Sequence, residues 1–315
     1  MIWVAWRQQR LTVLATLGLG AAIAAAMTVL RLVATSYMDD HGIAGCATAG
    51  PGCDSNALHE FYEAFGGIQT PLILLLFALP PVVGAFVGGP LFAREIERGT
   101  HVFALTQAIG RTRWWATKLA VGALPALAGM LLLGLVATWA FDPLAYLTSS
   151  PVRTPGFETQ GLVVAAYTVL AFAIGSTAGL LLRNTLGAMV VTIVLYIVLL
   201  VGVGGFLREH YAEPVGRTES IGLDGPTEDE QTLSDTWQVD HAYLDAAGNE
   251  VEPQFKPDCG GPEECMRAQG IDAFYIAYHP ADRFWRFQLT ETALFAGVAL
   301  LVVGAGAWAV RRVSN

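Results

Sequence analysis

The sequence predicts an all-α integral membrane protein: six transmembrane helices, an N-terminal interfacial helix, a short amphipathic helix in a cytoplasmic loop and an ordered outer domain before the last span. Three observations carry that expectation. Of 315 residues, 54% are hydrophobic and 14% charged, where soluble domains carry about 25% charged residues. The mean hydropathy is +0.48. The apolar residues gather in six charge-poor windows, Leu11 to Leu30, Pro71 to Ala93, Leu119 to Phe141, Gly161 to Leu182, Asn184 to Leu207 and Phe287 to Val310. Each is long enough for a helix to cross about 30 Å of hydrocarbon, and none shows the two-residue alternation of barrel strands.

Residues 1–10 pair Trp3 and Trp6 with Arg7 and Arg10. They read as a helix lying on the membrane surface, followed by span 1 over 11–35. That span is longer than the apolar run of an ordinary signal peptide, so it is read as retained. An outer loop over 36–70 follows, with Cys46 and Cys53, and with His41 and His59 as solvated residues. No metal site is expected. Span 2, 71–93, is interrupted by Pro80, Pro81, Gly84 and Gly88-Gly89-Pro90; prolines remove helical donors, so this helix kinks or breaks and is a candidate hinge. Gly84 with Gly88 and Gly175 with Gly179 fit a spacing that lets helices approach closely.

The loop 94–118 reads R-E-I-E-R-G-T-H-V-F-A-L-T-Q-A-I-G-R-T-R-W-W-A-T-K. Gly99 ends one helix, Thr100 caps a second, and Gly110 ends that one. Val102, Leu105 and Ile109 then share an apolar face. Span 3 covers 119–141, an outer loop 142–160 and span 4 161–182. Arg183, Asn184 and Thr185 form a tight turn into span 5, 184–207.

The outer domain, 208–286, holds 17 of the 27 acidic residues, Cys259 and Cys265, and a set of aromatics, Trp237, Tyr243, Phe255, Phe274, Tyr275 and Tyr278, able to nucleate a small core. It ends in an aromatic and basic belt, Pro280 to Phe287. Span 6, 287–310, contains one charged residue, Glu291, and 311–315 is a tail. An ionisable group at that depth is costly unless paired or wet. Arg31, near the outer end of span 1, is its candidate partner, and Glu291, Arg31, Pro80 and Pro81 are the candidate pathway or gating residues.

Basic residues near the span ends set the orientation. With both termini cytoplasmic, Arg7, Arg10, Arg94, Arg98, Arg111, Arg113, Lys118, Arg183, Arg311 and Arg312 lie inside, and the short outer loops keep Arg31 and Arg153. The net charge of -9 therefore belongs to the outer domain, and no nucleic-acid partner is expected. All four cysteines fall outside, where disulfides persist. Closeness in sequence favours Cys46 with Cys53 and Cys259 with Cys265, and the spacings are not those of a zinc site.

No phosphate-binding loop, dinucleotide fingerprint or zinc-protease motif occurs, so no catalytic residue and no cofactor is assigned to this chain. The run Glu95-Ile96-Glu97-Arg98-Gly99-Thr100, with Arg111 and Lys118 after it, resembles the E-x-E-x-G-T…R…K pattern of ABC-2 type permeases, membrane subunits of bacterial ABC exporters. The six-span topology with a large outer segment before the last span resembles theirs as well.

The resemblance implies that Glu95 to Ile109 forms a coupling helix docking into a separate ATPase subunit, with Arg94, Glu95, Glu97, Arg98, Gly99, Thr100, Val102, Leu105, Ile109, Arg111 and Lys118 at the contact. It implies ATP and Mg on that partner, and a second permease copy as homo- or heterodimer. A bacterial cell-membrane exporter of an apolar or amphipathic cargo (drug, antibiotic, lipid or peptide) is the leading reading. The alternative is a non-transporting membrane protein whose outer domain senses or binds a ligand. An ion-coupled carrier has Glu291 alone in its favour.

Overall fold

The computed structural model describes residues 2–44, 46, 54–99, 110–147, 150–220, 236–254, 265–266 and 268–312. Six helical stretches in it are long and apolar enough to cross a membrane. The chain is a multi-pass membrane bundle of mostly helical structure, capped at one end by a small sheet.

α1 runs without a break over Ile2–Asp40. The expected boundary between a surface helix, 1–10, and span 1 is absent: Arg7 to Thr12 contains neither Gly nor Pro, and its residues are compatible with continuous helix. The outer loop expected over 36–70 shrinks likewise. α2, Ser55–Val83, begins two residues after Cys53 in the sequence, with the Asp54 side chain accepting from Asn56 N at 2.9 Å as N-cap. Phe61 and Phe65, four residues apart, bury their rings at 4.5 Å and pack on Tyr37 of α1. Helical periodicity thus continues beyond the apolar window that marks span 2.

The prolines and glycines of span 2 act in sequence. Pro80 and Pro81 supply no N–H to the carbonyls four residues earlier, and a π-type turn, Gly84–Gly88, follows, closed by Gly89 N–H donating to Gly84 O at 2.9 Å. The helix resumes as α3, Pro90–Glu97. α4 covers Arg111–Phe141 and α5 the short Gly156–Thr159. α6, Val163–Leu182, and α7, Thr185–Gly202, form the predicted hairpin: Arg183 takes a left-handed conformation, and Asn184 caps α7 by accepting from Gly187 N at 2.7 Å. α8, Phe284–Arg312, is the last span.

α6 is the axis of the bundle. Its span window is 94% buried, against 22–28% for α1, α4, α7 and α8. It is hydrophobic all round, as a helix surrounded by others must be. It packs against α2, α3, α4, α7, α8 and the π-type turn. Glycine makes the closest approach: a Cβ on Gly84 would stand 2.6 Å from the Ala171 backbone, and one on Gly175 would collide with Gly84 O. The small-residue spacing read in the sequence is therefore a packing seam between span 2 and span 4.

Among its described residues the outer segment is built mainly on strands, which corrects the all-α expectation for that part. β1 (Val215–Ser220), β2 (Trp237–Asp245) and β3 (Ile271–His279) form an antiparallel sheet in the order β1-β3-β2. β3 pairs Tyr278 with Val215 on one side and His279 with Trp237 on the other. β-branched and aromatic residues in β2 and β3 suit this pairing. Trp237, Tyr243, Phe274, Tyr275 and Tyr278 of the predicted core all lie on it, and Phe255 is outside the described residues. Cys46 and Cys265 are both disulfide-bonded. Cys53 and Cys259 lie outside the described residues.

Candidate functional site

The first candidate site is the basic end of the bundle, where the E-x-E-x-G run sits. α3 ends at Glu97, and Gly99 adopts φ +70° just past its C-cap, so the expected glycine stop is in place. Thr100, Val102, Leu105 and Ile109 lie outside the described residues. Gly110 is the N-cap of α4.

Both carboxylates of the run engage neighbouring spans. Glu95 forms an ion pair with Lys118 on α4, whose ammonium lies 5.4 Å from the Trp114 ring. Glu97 accepts from Thr185 N at 2.7 Å and from Thr185 Oγ1 at 2.8 Å, adding a second cap to α7. Gln9 Nε2 donates to Lys118 O at 3.3 Å, tying α1 to the same cluster. The short segment after the π-type turn is thus bonded to the ends of two other spans, and Lys118 links it to a third.

The second site is at the sheet end and is built around Glu291. The proposed Arg31 partner is wrong: Arg31 Nη1 donates to Trp139 O, and its guanidinium lies 4.4 Å from the Trp139 ring. The partner is Arg208. Arg208 is 1% exposed and Glu291 0%; Arg208 Nε donates to Glu291 Oε2 and Nη2 to Glu291 Oε1, both at 2.9 Å.

A second carboxylate, Glu158 on α5, 2% exposed, receives Arg208 Nη2 at 2.7 Å. Thr154 Oγ1 donates to Glu158 Oε1 at 2.6 Å, Tyr167 Oη donates to Glu291 Oε1, and the guanidinium lies 4.1 Å from the Phe157 ring. One turn before Glu291, Gln288 Oε1 accepts from Leu162 N at 2.8 Å and Val163 N at 3.0 Å, while its Nε2 donates to Phe157 O at 3.0 Å. That side chain caps α6 from a different helix. Two carboxylates and one guanidinium, all desolvated, join α5, α6, the end of α7 and α8 into one polar knot. Such a knot is costly to break at one partner.

Sequence reasoning found Glu291 and missed Arg208, Glu158, Tyr167 and Gln288. Gln288 had a signal, since it shares a face with Glu291 at three-residue spacing. Glu158 and Arg208 had none, because each sits at the edge of a segment read as solvent-facing loop.

The sheet is clamped to the bundle beside this knot. His279 Nε2 donates to Glu209 O at 2.9 Å, and Arg283 Nη1 donates to His279 Nδ1 at 3.0 Å and to Glu213 O at 2.6 Å. Burial, above all, pushes the His279 pKa down. Among the described residues no cluster of three or more His, Cys, Asp or Glu is placed to hold a metal, and His41 stacks on Tyr37 at 3.9 Å.

Six apolar helices with a basic, loop-bearing end define a multi-pass membrane protein. The family model for ABC-2 membrane transporter related proteins matches residues 17–208, and the chain belongs to that family. No curated protein and no solved structure matches it.

Proposed function

We propose that the chain is the transmembrane permease subunit of an ATP-driven ABC exporter in the bacterial cell membrane, with both termini cytoplasmic. Two permease copies pair with two ATPase subunits, which carry the ATP and Mg. The cargo is apolar or amphipathic: a drug, antibiotic, lipid or peptide. The cysteines close two outer loops, Cys46 with Cys53 and Cys259 with Cys265.

The observation that carries this reading is the double engagement of the Glu95–Glu97 run. A force applied by an ATPase to residues 94–110 enters α4 through Glu95 and Lys118 and α7 through Glu97 and Thr185. The π-type turn at Gly84–Gly88 is the place where α3 pivots against α2. A chain without its own nucleotide site draws its energy from such a contact.

The test is to express the chain together with the ATPase encoded beside it and purify through a tag on the permease. Stoichiometric recovery of the ATPase, lost on replacing Gly99 by Pro, supports the reading. Recovery of the permease alone, in a folded state, refutes it.

A further inference from the structure

Along the flank of the bundle runs a groove between α1 and α4, floored at its basic end by α2 and α3. It begins in a cavity of about 410 Å³ whose charged and amide lining is Gln8, Gln9, Arg94, Glu95, Arg98 and Lys118. Val87 leads from this cavity to a constriction of about 10 Å³ beside Gly122 and Pro125, too tight to enclose an acyl chain and open along its lipid-facing side. Thr16, Leu17 and Ala126 lead from the constriction into a chamber of about 250 Å³ lined by Gly20, Ala24, Gly129 and Leu133. From Gln8 to Ala24 a helix rises about 24 Å, more than the roughly 15 Å of hydrocarbon in one leaflet.

Three cations and one carboxylate line the polar cavity, a net charge of +2. Two buried polar side chains there have unpartnered atoms. Gln9, 8% exposed, lines the cavity, and its Oε1 accepts no hydrogen bond among the described residues. Trp114, 5% exposed, lines a small adjoining cavity with Gln8, Glu95 and Lys118, and its indole N–H has no acceptor among the described residues. One unsatisfied acceptor, one unsatisfied donor and an excess of positive charge stand at the mouth of an apolar slot.

We infer that this groove is a binding site for one anionic phospholipid, its phosphate held by Arg94, Arg98 and Lys118, a headgroup hydroxyl donated to Gln9 Oε1, and an acyl chain laid over the open side of the constriction, against Thr16 and Leu17, into the chamber. Basic pockets between membrane helices take anionic headgroups by the same physics. The apolar chamber distinguishes a lipid from a free phosphate, which would leave it unused. The inference needs the bundle to sit in a bilayer and does not depend on transport or on an ATPase.

The experiment is native mass spectrometry of the purified chain, exchanged into phosphatidylglycerol or phosphatidylcholine at equal concentration. One phosphatidylglycerol retained per chain, with at least about a tenfold preference, is expected. Replacing Arg94 and Arg98 together by Gln should remove most of that preference, leaving the two lipids retained within about twofold of each other.

Gly20→Leu should reduce retention of both lipids, because a Cβ at Gly20 meets nothing within 4 Å and the added side chain fills the chamber without moving backbone. The melting temperature of each variant confirms that it is folded. Equal retention of the two lipids, displacement by inorganic phosphate, or indifference to Gly20→Leu in a folded variant overturns the assignment. So does a dimer that seals the groove and carries no lipid.

Discussion

Arg208 and Glu291 stand 83 residues apart in the chain and share two hydrogen bonds of 2.9 Å in a site closed to solvent. That pair decides how the outer segment joins the spans. Removing one partner leaves an uncompensated charge in low dielectric, which costs about 3–5 kcal/mol. Arg208→Met should therefore lower the thermal midpoint of the detergent-purified chain sharply. Arg31→Gln, at an exposed site over Trp139, should move it far less. Similar losses from the two variants would mean that Arg208 is not the buried keystone described above.

Gln288 carries a second prediction. Its side chain satisfies two amides at the start of α6 and one carbonyl of α5. Gln288→Leu keeps the volume and removes all three bonds, at about 1–3 kcal/mol for the groups left unsatisfied. Hydrogen exchange at Leu162 and Val163 should accelerate in that variant. Unchanged exchange at these amides would show that they are satisfied otherwise.

The glycine seam gives a paired test. Gly84→Ala places a Cβ 2.6 Å from the Ala171 backbone, whereas Gly20→Ala finds open space. The first should destabilise the bundle by about 1–3 kcal/mol through overpacking and the second should be neutral or slightly stabilising, since Ala favours helix over Gly. Thermal unfolding of both variants reads the difference, and a reversed order would contradict the α2–α6 packing.

The outer sheet should loosen in acid. Burial holds the His279 pKa below its usual 6.5. Between the folded value and 6.5 the unfolded chain binds more protons, so this group's contribution is complete above about pH 6.5 and is lost as the pH falls below it. Protonation also sets His279 against Arg283, which donates to its Nδ1. Hydrogen exchange across Ile271–His279, divided by the intrinsic amide rate at each pH, should rise from about pH 7.5 to about pH 5.5. His279→Gln should flatten that rise, and an equally steep rise in the variant would assign it elsewhere.

The spans were legible because bilayer thickness acts on composition directly: windows free of charge are long or they are not spans. Glu291 was legible for the same reason, as the charge that breaks such a window. Its partner was not. α7 continues through a π-type turn, Val203–Leu207, and carries Arg208 back into the bundle, and no local pattern announces that the first residue of an acidic outer segment is buried.

Glu158 belongs to a four-residue helix in a short loop, and only the tertiary fold brings it to Arg208. At the basic end the position of the Gly99 stop could be read from the sequence, while the bonds from Glu95 to Lys118 and from Glu97 to Thr185 depend on how α3, α4 and α7 converge.

If the Glu95–Glu97 segment transmits force between an ATPase and the spans, ATP hydrolysis by the co-purified complex in lipid vesicles should differ between wild type and Glu97→Ala. The variant should still bind the ATPase but lose most of the permease-dependent hydrolysis, because α7 no longer feels the loop. Wild-type hydrolysis and wild-type binding in Glu97→Ala would contradict that reading.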